Sequence, residues 1–123
     1  MAKKVLIVDD SAMMRKIVQK NLKEMGAQFD PVEAGDGAEA LEIFKGGGID
    51  IILTDWNMPN MTGIELVQAL RQIDPDKKVP IIMVTSEATA DKVKEAVMAG
   101  VNNYLSKPFT PEGFKAKLGP LFA

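Results

Sequence analysis

The sequence predicts an α/β fold, a doubly wound parallel sheet of five strands with helices on both faces. Strand-like and helix-like segments alternate five times along 123 residues, with no repeat, linker or low-complexity segment between them. Such alternation favours parallel strands joined by right-handed crossovers. Several strand candidates are unbroken apolar runs, which are typical of strands buried on both faces of a parallel sheet.

The first two strands and the first helix follow from apolar patterns. Residues 5–8 are all apolar and predict a buried strand. Apolar residues at helical spacing across 12–25 predict the first helix, with Gly26 as its C-terminal cap. Residues 27–34 form a weaker strand candidate, and Pro31 confines that strand to an edge of the sheet because proline cannot donate a ladder hydrogen bond.

A short second helix is expected after the turn at 35–37, ending before the three glycines at 46–48. Its apolar residues are Ala38, Leu41, Ile43 and Phe44. The third strand, residues 51–54, stops at Asp55, since a carboxylate is poorly suited to a buried strand. Pro59 requires that a loop follow.

The remaining elements continue the alternation. A third helix is predicted at 63–73 and a fourth strand at 81–85. A fourth helix at 90–99 leads to a fifth strand at 103–106. Residues 110–112 are a good helix start, but the last helix should be short because two glycines and a proline follow. The residues expected to face inward from the third and fourth helices are Leu66, Val67, Leu70, Ile73, Val93, Ala96 and Val97.

The strand order follows from the degree of apolarity. The strands at 5–8 and 51–54 are expected to be central neighbours, with the proline-bearing strand outside them, which predicts the order 2-1-3-4-5. In open sheets of this kind, ligands bind at the carboxyl ends of the strands where the order reverses direction, here between strands 1 and 3.

Composition excludes several classes of function. A net charge of −2 with 26% charged residues offers no basic surface for nucleic acid. The absence of cysteine and histidine leaves only oxygen ligands, so a metal site would bind a hard cation such as Mg²⁺, Mn²⁺ or Ca²⁺. No apolar run is long enough for a signal peptide core or a membrane span, and we expect a soluble cytoplasmic protein without membrane contact.

Acidic, hydroxyl and basic residues converge at the predicted edge. Asp9, Asp10 and Asp55 follow strands 1 and 3, and three like charges in one crevice repel one another unless a cation joins them. Mg²⁺ suits this set, because it binds one or two carboxylates, waters and phosphate oxygens. Thr85 and Lys107 follow the next strands and could contact phosphoryl oxygens. Asp55 could then be a nucleophile that forms an acyl phosphate.

Each of these residues also has a structural interpretation. Asp9, Asp10 or Ser11 could cap the first helix, Thr85 could form a cap or turn, and Lys107 could be a solvated side chain. Independent caps do not explain why all of them fall on one edge of the sheet. Their convergence therefore favours the functional interpretation.

The same motifs resemble those of response-regulator receiver domains over essentially the whole chain. They are Asp9-Asp10, Leu53-Thr54-Asp55-Trp56-Asn57-Met58-Pro59 followed by Gly63, Thr85-Ser86, and Lys107-Pro108. Among receivers the chain is most similar to the stand-alone chemotaxis type, through the sequence around Asp55, Glu87 and Tyr104. The resemblance implies a flavodoxin-like (βα)5 fold and a single receiver domain spanning 1–123 without an output domain.

The resemblance also implies roles for the site residues. Asp55 would accept a phosphoryl group from the phosphohistidine of a CheA-like histidine kinase. Asp10, Asp55 and the Asn57 backbone carbonyl would bind Mg²⁺, with Asp9 acting through water. Lys107 and Thr85 would contact the phosphoryl oxygens. Such a protein assists its own phosphorylation and autodephosphorylation and is not otherwise an enzyme.

A conformational switch is implied as well. Thr85 would move toward the phosphoryl group and Tyr104 would turn into the vacated space, altering the face formed by helix 4, strand 5 and helix 5. Asn57 and Glu87 would tune dephosphorylation. The implied downstream partners of a monomeric protein are a flagellar motor switch protein and a phosphatase. The candidate partner contacts are Ala88, Ala90, Val93, Tyr104 and Lys117.

Other functions fit the sequence less well. A flavodoxin-like electron carrier is disfavoured because the two aspartates after strand 1 would repel the phosphate of FMN. An aspartate-nucleophile phosphatase would need alternate acids and a cap domain, and a DNA-binding regulator would need a further domain after Ala123. Two alternatives stay open: a stand-alone receiver in a non-chemotaxis phosphorelay, and a receiver that binds proteins independently of phosphorylation.

Overall fold

The computed structural model describes residues 2–87 and 89–122, and it confirms the predicted alternation of strands and helices. A short 3₁₀ helix, Gly119–Phe122, follows the last α-helix. The ten main elements are β1 (Lys3–Val8), α1 (Ala12–Glu24), β2 (Phe29–Ala34), α2 (Gly37–Lys45), β3 (Ile51–Thr54), α3 (Gly63–Ile73), β4 (Ile81–Thr85), α4 (Ala90–Ala99), β5 (Asn103–Ser106) and α5 (Pro111–Leu118).

The five strands form one parallel sheet in the order β2-β1-β3-β4-β5, which confirms the predicted fold class. Val8 pairs with Thr54, so β1 and β3 end side by side. The ladder continues one residue further, where the Asp55 amide donates to the carbonyl of Val8 at 3.0 Å. The amide of Lys107 likewise donates to the carbonyl of Thr85 at 2.9 Å. The register therefore brings the residues that follow β1, β3, β4 and β5 to one edge.

Alternate residues of the central strands pack into two separate hydrophobic cores. Leu6 and Val8 lie in the core that α2, α3 and α4 cover, whereas Val5 and Ile7 lie in the core that α1 and α5 cover. This explains why the central strands are apolar without alternation, since both of their faces are buried.

Two of the residues expected to face inward from the third and fourth helices are exposed. Val97 is 56% exposed because Ala96, its fully buried neighbour, already faces the sheet and successive helical residues point about 100° apart. Ile73 is 44% exposed at the end of α3. Ala38, an apolar residue of the predicted second helix, is exposed as well, and the buried residues of α2 are Gly37 and Ala40.

Arg71, which the apolar pattern does not place inward, is buried near the end of α3. Its guanidinium donates to the carbonyl of Gly100 at 2.8 and 3.0 Å and to the carbonyl of Val79 at 2.9 Å. It also donates to carboxylate Asp74 at 3.0 Å and to the side-chain oxygen of Asn102 at 2.8 Å. A buried charge can be accommodated here because its donors are satisfied.

The helix ends agree with their sequence signals. Ser11, Asp36, Thr62, Thr89 and Thr110 each accept a backbone amide as N-cap residues. The last helix has only eight residues, as expected from its glycines. Across residues 2–87 and 89–122, no helix combines the length and apolarity that crossing a membrane requires.

Candidate functional site

Three carboxylates meet at the carboxyl edge of the sheet, where the sequence predicted them. Asp9, Asp10 and Asp55 each offer an oxygen within 4.8 Å of the others. Asp9 and Asp55 are 6% and 9% exposed, whereas Asp10 is exposed. Two nearly buried carboxylates this close together require a positive charge, because their mutual repulsion is poorly screened away from water.

Lys107 supplies one such charge. Its Nζ donates to Asp9 Oδ2 at 2.9 Å and to Asp55 Oδ2 at 3.2 Å, although the three residues are far apart in the chain. Burial lowers the pKa of Lys107, but the hydrogen bond to Asp9 and the charges of Asp55 and Asp9 outweigh burial and raise the pKa above its ordinary value. The ammonium therefore stays charged beside the acids at neutral pH.

Backbone amides orient the other carboxylate oxygens. The Ser11 amide donates to Asp9 Oδ1 at 2.9 Å, and the Trp56 amide donates to Asp55 Oδ1 at 2.6 Å. Hydrogen bonds to a charged acceptor are stronger than those between neutral groups. Asp55 is thus held at both oxygens, by the Trp56 amide on one side and by Lys107 on the other.

Gly63 is a part of the site whose role the sequence reasoning missed. A Cβ at Gly63 would lie 2.2 Å from the carbonyl oxygen of Asp55 and 2.9 Å from the Cα of Trp56. The Gly63 amide also donates to the carbonyl of Trp56 at 2.8 Å. The start of α3 therefore packs as closely as only glycine permits against the backbone of the loop between β3 and α3. We call this loop, residues 55–62, the acceptor loop after the predicted role of Asp55. The glycine directly after Thr62, the helix cap, was the available signal.

Arg15 was also missed. Its guanidinium donates to the carbonyl of Asp9 and, at 2.8 Å, to the carboxylate of Glu33. Through these two contacts, Arg15 connects the turn that contains Asp9 and Asp10 to the edge strand β2. An arginine within a predicted helix resembles an ordinary solvated residue, so the sequence carried no signal for this contact.

Thr85 is fully buried at the end of β4, and its hydroxyl accepts the Glu87 amide at 3.3 Å. Glu87 in turn accepts a hydrogen bond from the Asn57 side-chain amide at 3.1 Å. The loop after β3 is therefore linked directly to the segment between β4 and α4. The structure thus brings Asn57 and Glu87 together, and their role in dephosphorylation stays a prediction.

Tyr104 lies on β5 with only 8% of its surface exposed. Its hydroxyl has no hydrogen-bond partner among residues 2–87 and 89–122. Burial, followed by the negative charges of Glu87 and Asp55, raises the pKa of Tyr104 to about 12. The ring is thus already in an inward position, and the movements of Thr85 and Tyr104 stay predictions.

The residues proposed for partner contacts are placed as follows. Ala90 and Lys117 are exposed, and Val93 is half-buried against the core. Tyr104 is buried beneath this surface. Ala88, the remaining candidate, lies outside the described residues. Contact with a partner stays a prediction for all five.

The acidic cluster fits a small hard cation. Two oxygens bound to one Mg²⁺ at about 2.1 Å lie at most about 4.2 Å apart, so a modest side-chain movement or a bridging water is sufficient here. In the described part of the chain, the carbonyl of Asn57 accepts no backbone hydrogen bond and so stays available as a further ligand. Carboxylate and carbonyl oxygens are the ligands that Mg²⁺ prefers.

Taken together, the geometry suits transfer of a phosphoryl group. Asp55 is an oriented carboxylate, nearly buried at the edge of the sheet, and Lys107 is a cation in contact with it. A metal ion bound by Asp9, Asp10 and Asp55 would add further positive charge to the site. These are the elements of a site that stabilises transferring phosphoryl oxygens by electrostatics.

Comparisons with known proteins show the family of this chain. Residues 5–119 match the family of the response regulator receiver domain. The Chemotaxis protein CheY of Pseudomonas aeruginosa is 45% identical over 119 residues, covering 97% of this chain and 95% of that protein. Chemotaxis protein CheY-3 of Vibrio cholerae is 44% identical over 119 residues, covering 97% and 91%.

Solved structures agree as well. The chemotaxis protein CheY4 of Vibrio cholerae superposes with a TM-score of 0.87 at 38% identity, over 98% of this chain and 99% of that one. The receiver domain of the Francisella response regulator 1452 has a TM-score of 0.84 at 29% identity, over 98% and 96%. With the family match covering nearly the whole sequence, this chain belongs to the response regulator receiver domains.

Proposed function

We propose that this receiver takes a phosphoryl group on Asp55 from a CheA-like histidine kinase and controls a flagellar motor in chemotaxis. The observation that carries this proposal is the arrangement around Asp55, whose carboxylate contacts Lys107 and lies close to the acids Asp9 and Asp10. Receivers are signalling proteins rather than enzymes that act on separate substrates. We propose a stand-alone receiver, because its similarity to the chemotaxis proteins covers more than nine-tenths of those proteins as well.

The proposed step needs no general base. A carboxylate oxygen of Asp55 attacks phosphorus, the bond from phosphorus to the histidine nitrogen of the donor breaks, and the imidazole leaves. Lys107 and the Thr85 hydroxyl contact the phosphoryl oxygens. Bound Mg²⁺ would supply positive charge to those oxygens and would be held by Asp10, Asp55 and the Asn57 carbonyl, with Asp9 acting through water.

The donor domain is proposed to lie against an apolar groove beside the site. The groove has a volume of about 440 Å³ and continues from Lys107 across α1. Its lining residues are Met14, Ile17, Ser86, Lys107, Pro108 and Phe109. A protein donor can bury this apolar surface, whereas a small donor such as acetyl phosphate has no need of it.

Output is proposed to occur on the face of α4, β5 and α5. Thr85 would follow the phosphoryl group and bias the position of Tyr104, and the target would contact Ala88, Ala90, Val93, Tyr104 and Lys117. The target is a flagellar motor switch protein, by analogy with the chemotaxis proteins named above, and a phosphatase is a second partner. We place this monomeric protein in the cytoplasm, where such a kinase would phosphorylate it.

Signal lifetime is proposed to depend on Asn57 and Glu87. The hydrogen bond between them joins the loop after β3 to the segment that precedes α4. We expect this link to affect the access of water to the acyl phosphate. Changes at either residue are expected to alter autodephosphorylation. The effect is read from the decay of the phosphorylated protein after the donor is removed.

Phosphotransfer from a purified, autophosphorylated chemotaxis kinase tests the proposal. Wild-type protein should take the label rapidly, and Asp55→Asn should take none. Ile17→Glu, in the groove, should slow transfer from the kinase while leaving modification by acetyl phosphate unchanged. Labelling of Asp55→Asn would refute the acceptor, and equal transfer to Ile17→Glu would refute the docking groove.

The chemotaxis role has its own test. The protein is expressed in a Pseudomonas aeruginosa strain that lacks its own CheY, and swimming reversals are counted. Restored reversals that require Asp55 would support motor control. Normal phosphorylation by a kinase without any effect on reversals, or without binding to the motor switch protein, would favour the non-chemotaxis phosphorelay instead.

A further inference from the structure

Lys92 makes an unusual contact beside the acceptor loop. Its Nζ lies 4.7 Å from the centroid of the Trp56 ring, within the range of a cation–π interaction. Trp56 is 6% exposed and directly follows Asp55. Lys92 belongs to the first turn of α4 and is only half-buried. The contact therefore joins a surface helix to the residue next to the proposed acceptor.

Helix stability does not explain a lysine at this position. The Lys92 amide donates to the hydroxyl of Thr89, the N-cap of α4, so Lys92 is the third residue of the helix. The positive end of the helix dipole lies there and disfavours a cation, whereas the preceding Asp91 suits it. The favourable interaction for the Lys92 ammonium comes from the Trp56 ring.

Trp56 connects this contact to the acceptor carboxylate. Its amide donates to Asp55 Oδ1 at 2.6 Å, while its ring contacts Lys92. The neighbouring residue Asn57 makes a second link, to Glu87 just before α4. Two consecutive residues of the acceptor loop thus hold the start of α4 and the segment that leads to it.

We propose that Lys92 is a positioning residue that couples α4 to the Asp55 carboxylate through Trp56. This inference rests on the proposed phosphorylation of Asp55. When Asp55 forms an acyl phosphate, its carboxylate charge is lost, and the strong hydrogen bond from the Trp56 amide weakens. A shift of the Trp56 peptide then alters the position of α4, because the Trp56 ring is in contact with the Lys92 ammonium. By linkage, the position of α4 changes the reactivity of Asp55 in return.

The expected size of the effect is modest and measurable. A cation–π contact at a partly exposed site changes an equilibrium by about two- to fivefold. Lys92→Met keeps most of the aliphatic stem and removes the charge. Lys92→Arg keeps a cation that can contact the ring. Lys94→Met, at an exposed position on the same helix, is the matched control for loss of charge.

The first measurement is the fluorescence of Trp56, the single tryptophan of the chain, without any ligand. We expect Lys92→Met to change its emission, and Lys92→Arg and Lys94→Met to leave it close to wild type. Thermal melting confirms that each variant is folded. Identical emission from Lys92→Met and wild type would mean that the ammonium does not contact the ring, and the proposal would fail.

The second measurement is hydrogen exchange of the α4 amides with and without Mg²⁺ and acetyl phosphate, with intact mass recording phosphorylation of the same samples. Phosphorylation should change the exchange of α4 in wild type, Lys92→Arg and Lys94→Met. The response should shrink about two- to fivefold in Lys92→Met. An undiminished response in phosphorylated Lys92→Met would overturn the coupling alone, whereas failure of every sample to become phosphorylated would overturn the proposed function together with it.

Discussion

Replacing Gly63 by alanine should disturb the site without changing any side chain that is proposed to take part in phosphoryl transfer. The new Cβ would lie 2.2 Å from the Asp55 carbonyl oxygen and 2.9 Å from the Trp56 Cα, and both neighbours are backbone atoms. An ordinary contact to a carbonyl oxygen needs at least about 3.2 Å, so the loop must move by about 1 Å. Overpacking of this kind costs about 1–3 kcal/mol. A misplacement of about 1 Å near reacting atoms can slow a reaction by about 10²-fold.

The assay is the rate of phosphorylation by acetyl phosphate with Mg²⁺, followed by intact mass, together with urea unfolding. We expect Gly63→Ala to be folded, less stable by about 1–3 kcal/mol, and slower to react by about ten- to one-hundredfold. Gly119→Ala is the control, because its added Cβ would meet nothing closer than 3.7 Å. A Gly63→Ala protein with wild-type rate and stability would refute the argument that this close approach positions Asp55.

Three further predictions concern stability. Arg71→Met should lower the free energy of unfolding by about 3–5 kcal/mol, because it leaves buried carbonyls and a carboxylate without their hydrogen-bond donor. Urea denaturation measures this change, and a loss below about 1 kcal/mol would contradict the prediction. Because the pKa of Tyr104 is raised to about 12, the folded state keeps a proton that the unfolded state releases near pH 10. The free energy of unfolding of wild type should therefore fall by about 2–3 kcal/mol relative to that of Tyr104→Phe between pH 10 and 12. Parallel curves of stability against pH for the two proteins would contradict this. Without Mg²⁺, Asp10→Asn should raise the melting temperature more than Asp9→Asn does. The reason is that Asp9 is already paired with Lys107, whereas Asp10 has no such partner in the described part of the chain. A larger rise for Asp9→Asn would contradict this prediction.

The fold could be predicted from the sequence because its signals are local and repeated. The apolar strands at 5–8 and 51–54 specify burial on both faces, and Pro31 marks the edge strand. The strand order followed from these features and is confirmed. The convergence of Asp9 and Asp55 followed in turn, since the ends of neighbouring parallel strands meet at one edge.

Features that depend on packing could not be predicted in this way. Helical spacing placed Ile73 inward, but a pattern of apolar residues does not show that Arg71 can be buried when distant carbonyls satisfy it. Spacing also cannot show that Val97 is left exposed because Ala96 already fills the contact. The contact of Lys92 with Trp56 joins two elements whose relative position depends on the whole fold.

Whether Asp55 accepts a phosphoryl group is tested by finding which residue a small phosphodonor modifies. Purified protein is incubated with acetyl phosphate, with and without Mg²⁺, and its intact mass is compared with that of Asp55→Asn. We expect wild type to gain one phosphoryl group in a Mg²⁺-dependent reaction and Asp55→Asn to gain none. Unmodified wild type at saturating donor and Mg²⁺, or a phosphoryl group on Asp55→Asn, would contradict it.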